Sequence, residues 1–156
     1  MSARITEGDR APAFKLPRDG GGTVSLAEFK GKPVVLYFYP KDDTPGCTLE
    51  AKDFTAEAAA FRKAGATVIG VSKDSVKRHD NFKAKYELDL ILASDEAGKT
   101  LEDYGVWVEK MNYGRKYMGI ERSTFLIDAK GVIAKAWRKV KVKGHAADVL
   151  ASIQAL

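Results

Sequence analysis

Residues 34–39, with the sequence VVLYFY, constrain the fold of this chain more than any other segment. The run is apolar throughout and consists almost entirely of β-branched and aromatic side chains. Such a run, without polar alternation, is typical of a strand that is buried on both faces. Pro40 follows directly and cannot donate to a hydrogen-bond ladder, so the strand is predicted to end there. The segment therefore predicts the central strand of a sheet that is covered on both sides.

Alternating strands and helices are predicted along most of the chain. After the Gly-rich turn at residues 20–22, residues 23–29 are predicted to form a strand or turn that leads into a short helical piece. The other predicted helices span about residues 45–64, 75–86, 98–104 and 145–156, and the other predicted strands span residues 66–72, 90–93, 123–128 and 132–137. Gly65 is a natural stop for the first of these helices, and Ser75 is a natural cap for the second. The last two strands are predicted to form a hairpin through a turn at residues 128–131.

The order of these elements favours an α/β fold with a central mixed β-sheet and helices on both faces. It is compatible with a thioredoxin-like fold, and other small α/β folds satisfy it equally well. No repeat, low-complexity tract or linker divides the 156 residues, and an apolar fraction of 45% is enough for a full core. We therefore expect a single domain that spans residues 1–156.

The single cysteine and the N-terminal residues give information about the cellular compartment of the protein. One cysteine cannot form an internal disulfide, so nothing indicates an oxidised, secreted scaffold. Residues 1–7 contain no apolar run of the kind that a signal peptide has. No uninterrupted apolar stretch approaches the ~20 residues of a membrane span. We expect a soluble cytoplasmic protein.

A basic stretch at residues 135–143 concentrates the positive excess of a chain with 26 basic and 21 acidic residues. With Trp137 among its lysines, the stretch has the composition of a nucleic-acid patch. Its charges alternate with apolar residues at period two, however, as in a strand with one solvated face. We interpret it as such a strand face and expect no nucleic-acid partner.

Cys47 is the only cysteine, and it is predicted to lie in the first turn of the helix that follows the central strand. Unpaired N–H groups and the positive end of the helix dipole favour a thiolate there. The dipole typically contributes only roughly 0.3–1 kcal/mol, so another group must help to stabilise the thiolate, and an arginine from a distant strand would suffice. Gly46 permits close backbone approach, and Thr44 carries a hydroxyl three residues before the sulfur. The segment indicates a reactive thiol, whereas a lone cysteine elsewhere is usually a small core residue.

Several motifs, in order along nearly the whole chain, resemble those of the peroxiredoxins. The pattern Pro40-x-x-x-Thr44-x-x-Cys47 resembles the active-site signature of that family. Residues 8–14 (GDRAPAF) resemble its opening segment. The subfamily called bacterioferritin comigratory protein, or Q-type peroxiredoxin, is similar in residues 43–51 (DTPGCTLEA), 70–75 (GVSKDS) and 113–125 (YGRKYMGIERSTF).

The resemblance implies a thioredoxin-like fold and an antioxidant, thiol-dependent peroxidase that reduces hydrogen peroxide and organic hydroperoxides, with no cofactor and no metal. Cys47 is then the peroxidatic nucleophile, which attacks the O–O bond and becomes a sulfenic acid. Thr44 bonds thiolate and peroxide, and Pro40 shields the sulfur from bulk water. Arg122 supplies the missing positive charge and binds a peroxide oxygen, and the N–H groups of Gly46 and Cys47 complete the oxygen-binding site.

The sequence departs from this subfamily at two positions. Many members carry a second, resolving cysteine, and its usual places correspond to Lys52 and Lys83 here. The sulfenic acid of Cys47 is therefore expected to be resolved by an external thiol: a small thiol, thioredoxin, glutaredoxin with glutathione, or Cys47 of another copy. The two lysines either attract an anionic thiol and favour the thiolate, or are solvated surface residues, and we favour the second interpretation. A monomer is expected, and related proteins also form dimers.

Other interpretations of the same residues are less well supported. A Cys–His hydrolase needs His79 or His145 beside Cys47, and neither position implies that. One cysteine and two scattered histidines lack the spacing of metal ligands, so no metal site is predicted. A catalytically silent thioredoxin-like interaction module is the non-enzyme alternative. Glu50 and Trp137 are expected to support the pocket or the core rather than to act on substrate.

Overall fold

Residues 5–156, which the computed structural model describes, form nine β-strands, five α-helices and a short 3₁₀-helix. The strands are β1 (Lys15–Pro17), β2 (Thr23–Ser25), β3 (Val34–Phe38), β4 (Thr67–Ser72), β5 (Ile91–Ser94), β6 (Trp107–Asn112), β7 (Arg115–Ile120), β8 (Ser123–Ile127) and β9 (Ile133–Trp137). The helices are the 3₁₀-helix (Leu26–Phe29), α1 (Pro45–Ala56), α2 (Ala58–Lys63), α3 (Val76–Tyr86), α4 (Lys99–Asp103) and α5 (His145–Gln154). Within this described part of the chain, no helix is long and apolar enough to cross a membrane.

Five of the strands form a mixed sheet in the order β5-β4-β3-β8-β9, with β3 in the centre. β3 pairs in parallel with β4 and antiparallel with β8, and all of its residues are buried. β4 and β5 are also parallel and are joined through α3, whereas β8 and β9 form the predicted antiparallel hairpin. The prediction of a central strand covered on both faces is confirmed.

Alternate side chains of β3 enter two hydrophobic clusters, one on each face of the sheet. Leu36 and Phe38 lie in one cluster, together with residues of α4 and of the N-terminal hairpin β1-β2. Val35 and Tyr37 lie in the other, together with residues of α1, α2, α3 and α5. The sheet therefore has helices on both faces, which confirms the predicted α/β architecture.

The helix predicted at residues 45–64 is in fact two helices. Glu57 separates α1 from α2, with φ −98° and ψ 8°, and its N–H donates to the carbonyl of Phe54 three residues back. That is the tighter pattern of a 3₁₀ turn, which ends α1. Phe54 and Phe61, one from each helix, still pack against each other with ring centroids 5.9 Å apart. The break redirects the chain without exposing the apolar face.

The hairpin formed by β6 and β7 lies outside the sequence predictions. Its two-residue loop is Tyr113-Gly114, and both residues have positive φ, 51° and 76°. Such a pair of angles is characteristic of a type I′ turn. Most of the hairpin's side chains are exposed, so it lacks the regular apolar alternation that reveals a half-buried strand. The hairpin delivers the chain to Arg122, which lies between β7 and β8.

The basic stretch at residues 135–143 is not one continuous strand, which corrects the sequence interpretation. β9 ends at Trp137, and Lys139 has a φ of 50°, which breaks the extended path. Arg138 is half-buried, and its guanidinium donates to three backbone carbonyl oxygens. Only Lys135 fits the solvated face of a strand, because it is the exposed basic residue inside β9.

Candidate active site

Cys47 lies in the first turn of α1, and its side chain is almost fully buried, with 2% exposure. Thr44 precedes the helix in an extended conformation, and Pro45 is the first helical residue. At a helix N-terminus the N–H groups of residues such as Gly46 and Cys47 have no carbonyl partner within the helix. These donors and the helix dipole favour negative charge near the sulfur.

Arg122 brings to the sulfur a positive charge from far along the chain. It lies 75 residues beyond Cys47, and its Nη2 donates to Sγ over 3.3 Å. Its Nη1 donates to Oε1 of Glu50 over 2.6 Å, so one guanidinium links both side chains. Gly46 permits this approach, because a Cβ at that position would lie 3.1 Å from Nη2 of Arg122. The structure thus brings Cys47, Gly46 and Arg122 together.

Glu50 is the buried counter-ion of Arg122, and only 1% of its surface is exposed. Burial raises the pKa of Glu50 to about 7, although the charge and the hydrogen bond of Arg122 act in the opposite direction. Within residues 5–156, neither Oε2 of Glu50 nor the buried hydroxyl of Tyr37 has a hydrogen-bond partner. Burial first, and then the charge of Glu50, raises the pKa of Tyr37 well above its usual value. Glu50 therefore changes its charge near neutral pH inside the site.

Thr44 and Pro40 lie in the loop that joins β3 to α1. The hydroxyl of Thr44 donates to the carbonyl oxygen of Lys41 over 2.8 Å, so its proton does not point to the sulfur. The expected hydrogen bond from Thr44 to a Cys47 thiolate is therefore not present, although the hydroxyl oxygen retains its capacity to accept from a peroxide. Pro40 follows the buried Tyr39 and is itself exposed. The loop presents an acceptor oxygen, rather than a donor, at the start of α1.

Two residues near the sulfur were not among the predicted site residues. Glu50 was assigned a supporting role, but its position three residues after Cys47 on one helix already implies a shared face. Lys110 lies on β6, and its methylene groups pack next to Gly119. Burial lowers the pKa of Lys110, and the charge of Arg122 lowers it further. No local motif marks Lys110, because its place near the site depends on the unpredicted β6-β7 hairpin.

The two histidines are engaged away from the sulfur. His145 begins α5, and its Nε2 lies 2.8 Å from the hydroxyl of Thr124. Burial lowers the pKa of His145 to about 4, so this ring is neutral at physiological pH. His79 lies on α3, where its ring nitrogens contact Asp42 and the carbonyl of Ala93. The described residues, 5–156, also hold no cluster of three or more His, Cys, Asp or Glu that could bind a metal ion.

The two lysines at the expected places of a resolving cysteine differ in their surroundings. Lys83 donates to Asp19 over 2.8 Å, and Asp19 is buried with 5% exposure. Lys83 therefore neutralises a buried carboxylate, which corrects its interpretation as a solvated surface lysine. Lys52 is exposed, and its ammonium lies 6.0 Å from the centroid of the Tyr86 ring. The surface interpretation fits Lys52 alone.

Known proteins resemble this chain over most of its length. The profile of the AhpC/TSA family matches residues 7–136. The chain is 56% identical over 146 residues to a putative peroxiredoxin Bcp of Coxiella burnetii, which covers 94% of this chain and 97% of that protein. It is 51% identical over 150 residues to peroxiredoxin Bcp of Bacillus subtilis, which covers 96% of each chain. A solved structure of the bacterioferritin comigratory protein of Xanthomonas campestris is 48% identical, with a TM-score of 0.87 over 91% of this chain and 90% of that one.

These relatives are similar to this chain in both overall sequence and fold. The thioredoxin-like fold expected from the motif resemblance is confirmed, because the structural neighbours are peroxiredoxins with that fold. Cys47 is the single cysteine of the chain, so an oxidised Cys47 cannot form a disulfide with a second cysteine of the same molecule. This chain belongs to the AhpC/TSA family and, within it, to the Bcp or Q-type peroxiredoxins, which are thiol-dependent peroxidases.

Proposed function

We propose that Cys47 is the peroxidatic nucleophile of this peroxiredoxin, and that Arg122, Thr44, Gly46 and Pro40 form its hydroperoxide site. The observation that carries this proposal is the 3.3 Å contact between Nη2 of Arg122 and Sγ of Cys47, which lies at a helix N-terminus and away from bulk solvent. The thiolate is the nucleophilic form of cysteine, and both the guanidinium and the helix N-terminus stabilise its negative charge.

The reaction moves one oxygen atom from the peroxide to the sulfur. The Cys47 thiolate attacks the terminal hydroperoxide oxygen, an S–O bond forms and the O–O bond breaks. Cys47 is oxidised to a sulfenic acid, and the reduced leaving oxygen takes up a proton and departs as water or an alcohol. Arg122 and the N–H groups of Gly46 and Cys47 stabilise the charge on the leaving oxygen. Thr44 accepts the hydrogen bond of the peroxide, and Pro40 covers the sulfur.

The proposal includes both hydrogen peroxide and organic hydroperoxides as substrates. The solved Xanthomonas campestris relative is described by its alkyl peroxide reduction activity. In this chain the side chain of Leu49 is 50% exposed and lines one cleft with Thr44 and Pro45. We propose that this exposed apolar side chain, which shares a cleft with Thr44, contacts the alkyl group of an organic hydroperoxide.

The second half of the cycle is proposed to depend on an external thiol. The sulfenic acid of Cys47 has no second cysteine in the chain to react with. A small thiol, thioredoxin, glutaredoxin with glutathione, or Cys47 of another copy therefore supplies the resolving sulfur. The proposal extends to a monomeric enzyme, with a dimer as the alternative. It also extends to a cytoplasmic location, because reduction of the sulfenic acid by external thiols needs a reducing compartment.

A Cys47→Ser variant tests the assignment of the nucleophile. We expect it to lose all peroxide consumption, whereas the unchanged chain loses one titratable thiol per equivalent of limiting peroxide. Arg62→Gln is the matched control, because Arg62 lies on α2, where the change breaks only an exposed ion pair with Asp89 and leaves the thiol in place. Retained peroxide turnover in Cys47→Ser, measured with the same reductant, would contradict the proposal.

Mass spectrometry and a panel of reductants test the second half of the cycle. Peroxide alone is expected to give a sulfenic acid that dimedone traps, with no disulfide inside the chain, and excess peroxide is expected to give the sulfinic or sulfonic acid. Turnover with thioredoxin, with glutaredoxin and glutathione, and with dithiothreitol then identifies the reductant class. Absence of any dimedone adduct at equimolar peroxide would count against a long-lived sulfenic acid.

A further inference from the structure

A buried polar contact joins α3 to the loop at residues 40–44, which lies between β3 and α1. Asp42 lies in the loop between β3 and α1, and its Oδ2 is 2.6 Å from Nδ1 of His79 on α3. The two residues are 3% and 0% exposed, so water does not compete for this contact. The hydroxyl of Tyr39, the last residue before Pro40, donates to Oδ1 of the same carboxylate.

Hydrogen-bond geometry indicates the protonation state of this pair. Nε2 of His79 lies 2.9 Å from the carbonyl oxygen of Ala93, which only accepts, so Nε2 carries a proton. Nδ1 faces a carboxylate that already accepts from Tyr39, and a second ring proton satisfies that contact. Burial lowers the pKa of His79, but the hydrogen bond and the charge of Asp42 more than offset this, and the pKa is raised. The pair is therefore an imidazolium–carboxylate pair inside the protein.

Further hydrogen bonds join the same loop to α3 and to the turn before it. The backbone N–H of Asp42 donates to Oδ2 of Asp74, which precedes α3. The next residue, Asp43, accepts from Nζ of Lys85 over 2.8 Å and from the hydroxyl of Tyr86. Asp43 has a φ of 59°, a left-handed conformation that aspartate adopts more readily than most residues other than glycine. Contacts from α3 and from the turn before it therefore hold the path of the loop.

A buried ion pair is a poor source of stability, because desolvation of the two charges offsets their attraction. A pair of apolar side chains would fill the same space at no such cost. The position of the pair is therefore informative: the loop that it holds carries Pro40 and Thr44 and leads directly into the turn that carries Cys47.

We propose that His79 is a positioning residue of the peroxidase reaction. Through Asp42, it holds the loop at residues 40–44 against α3, so that Thr44 and the N–H groups at the start of α1 face the hydroperoxide bound at Cys47. This inference rests on the proposed function, since it assigns His79 a role in placing the groups that the proposed reaction uses.

The proposal makes the loop sensitive to a rise in pH. The groups that face His79 are Asp42 from the loop, Asp74 from the turn before α3, Tyr39, which follows β3, and the carbonyl of Ala93 from β5. Because the folded pKa is raised, the contact is complete below the ordinary pKa of histidine and is lost as the pH rises through the folded value. Deprotonation leaves a lone pair on Nδ1 opposite a carboxylate, and the loop is released.

Asp42→Asn separates the charge of this pair from its shape. The asparagine amide donates to Nδ1 of a neutral His79, its oxygen accepts from Tyr39, and Nε2 still donates to Ala93, so every hydrogen bond is retained. His79→Leu fills a similar volume but removes both bonds. Lys77→Gln is the matched control on α3, because Lys77 is exposed.

The second-order rate constant of Cys47 oxidation by hydrogen peroxide is measured for each variant between pH 6 and pH 10. At pH 7, His79→Leu is expected to be slower by about 10²-fold, the typical cost of misplacing a reacting group by roughly 1 Å. Lys77→Gln is expected to match the unchanged chain throughout. The ratio of the Asp42→Asn rate to the unchanged rate is expected to rise by about tenfold or more with pH, since only the unchanged pair loses its contact.

The outcomes distinguish this inference from the function on which it rests. A folded His79→Leu with an unchanged rate, or an Asp42→Asn ratio that is constant with pH, overturns the positioning role while Cys47 remains the nucleophile. If His79→Leu does not fold, the Asp42→Asn ratio alone decides. Peroxide turnover in Cys47→Ser overturns the proposed function itself, whatever the His79 variants do.

Discussion

The raised pKa of Glu50 makes a quantitative prediction about stability, which the variant Glu50→Gln tests. Glu50 is fully buried, and its pKa rises from the usual 4.5 to about 7, chiefly because burial disfavours the charged form. A glutamine has nearly the same shape as the protonated glutamic acid and still accepts from Nη1 of Arg122 through its carbonyl oxygen. The variant thus keeps the side chain at position 50 uncharged at every pH.

The magnitude follows from linkage between protonation and folding. At about 1.36 kcal/mol for each pH unit, the difference between 4.5 and about 7 corresponds to about 3 kcal/mol. Because the folded pKa is above the unfolded value, the folded chain holds the extra proton. The wild-type free energy of unfolding therefore falls, relative to the variant, as the pH rises from about 4.5 to about 7. Above pH 7 the difference reaches its plateau.

Urea unfolding, followed by tryptophan fluorescence at pH 4, 5.5, 7 and 8.5, measures this difference. The stability of Glu50→Gln minus that of the unchanged chain is expected to grow by about 3 kcal/mol between the lowest and highest pH. Glu96→Gln is the matched control, because Glu96 is exposed, and its difference is expected to stay constant. A Glu50→Gln difference that does not change with pH, or that changes in favour of the ionised glutamate, would refute the reasoning. The second outcome would mean that attraction to Arg122 outweighs the cost of burial.

Three further variants test other parts of the structure. Arg122→Lys is expected to slow peroxide reduction by roughly 10²- to 10³-fold, because lysine lacks the planar fork whose two nitrogens contact Glu50 and Cys47 separately. A near-normal rate would contradict that. Gly70→Ala is expected to lower the free energy of unfolding by about 1–3 kcal/mol, because its Cβ would lie 2.7 Å from the Tyr37 ring; a neutral effect in urea unfolding would show that the ring can move. His145→Gln is expected to remove a stability gain of about 3 kcal/mol that the unchanged chain shows between pH 4 and 6.5, since the folded pKa of His145 is lowered to about 4; an unchanged pH slope would count against this.

Local patterns in the chain were sufficient to predict several of its regular elements and the position of the thiol. The run at residues 34–39 predicted a central buried strand, and β3 is that strand. Ser75 was predicted to cap α3, and its hydroxyl accepts from the N–H of Arg78. Cys47 was predicted in the first turn of a helix, and it lies there. Each of these features depends on backbone preferences and side-chain periodicity within a few residues, so each leaves a readable pattern.

Other elements gave too weak a local signal. The β6-β7 hairpin is mostly exposed, and without a buried face its strands show no regular alternation of apolar residues. The interruption at Glu57 is hidden because Phe54 and Phe61 keep a helical spacing across it. The prediction of a strand through the basic stretch was wrong for a similar reason. The alternation of basic and apolar residues continues beyond Lys139, where the backbone turns away from the strand.

The interactions that give the site its chemistry join residues far apart in the chain. Arg122 lies 75 residues from Cys47, His79 lies 37 from Asp42, and the ion pair of Lys83 spans 64. A motif resemblance named Arg122 as a partner of the sulfur, and helical spacing places Glu50 on the same face as Cys47, but no pattern indicated that α3 holds the loop at residues 40–44. These contacts arise from the way the helices pack on the sheet, which sets both the distances and the desolvation of the charges. Neither quantity is encoded in the spacing of neighbouring residues, so the folded chain was needed to see them.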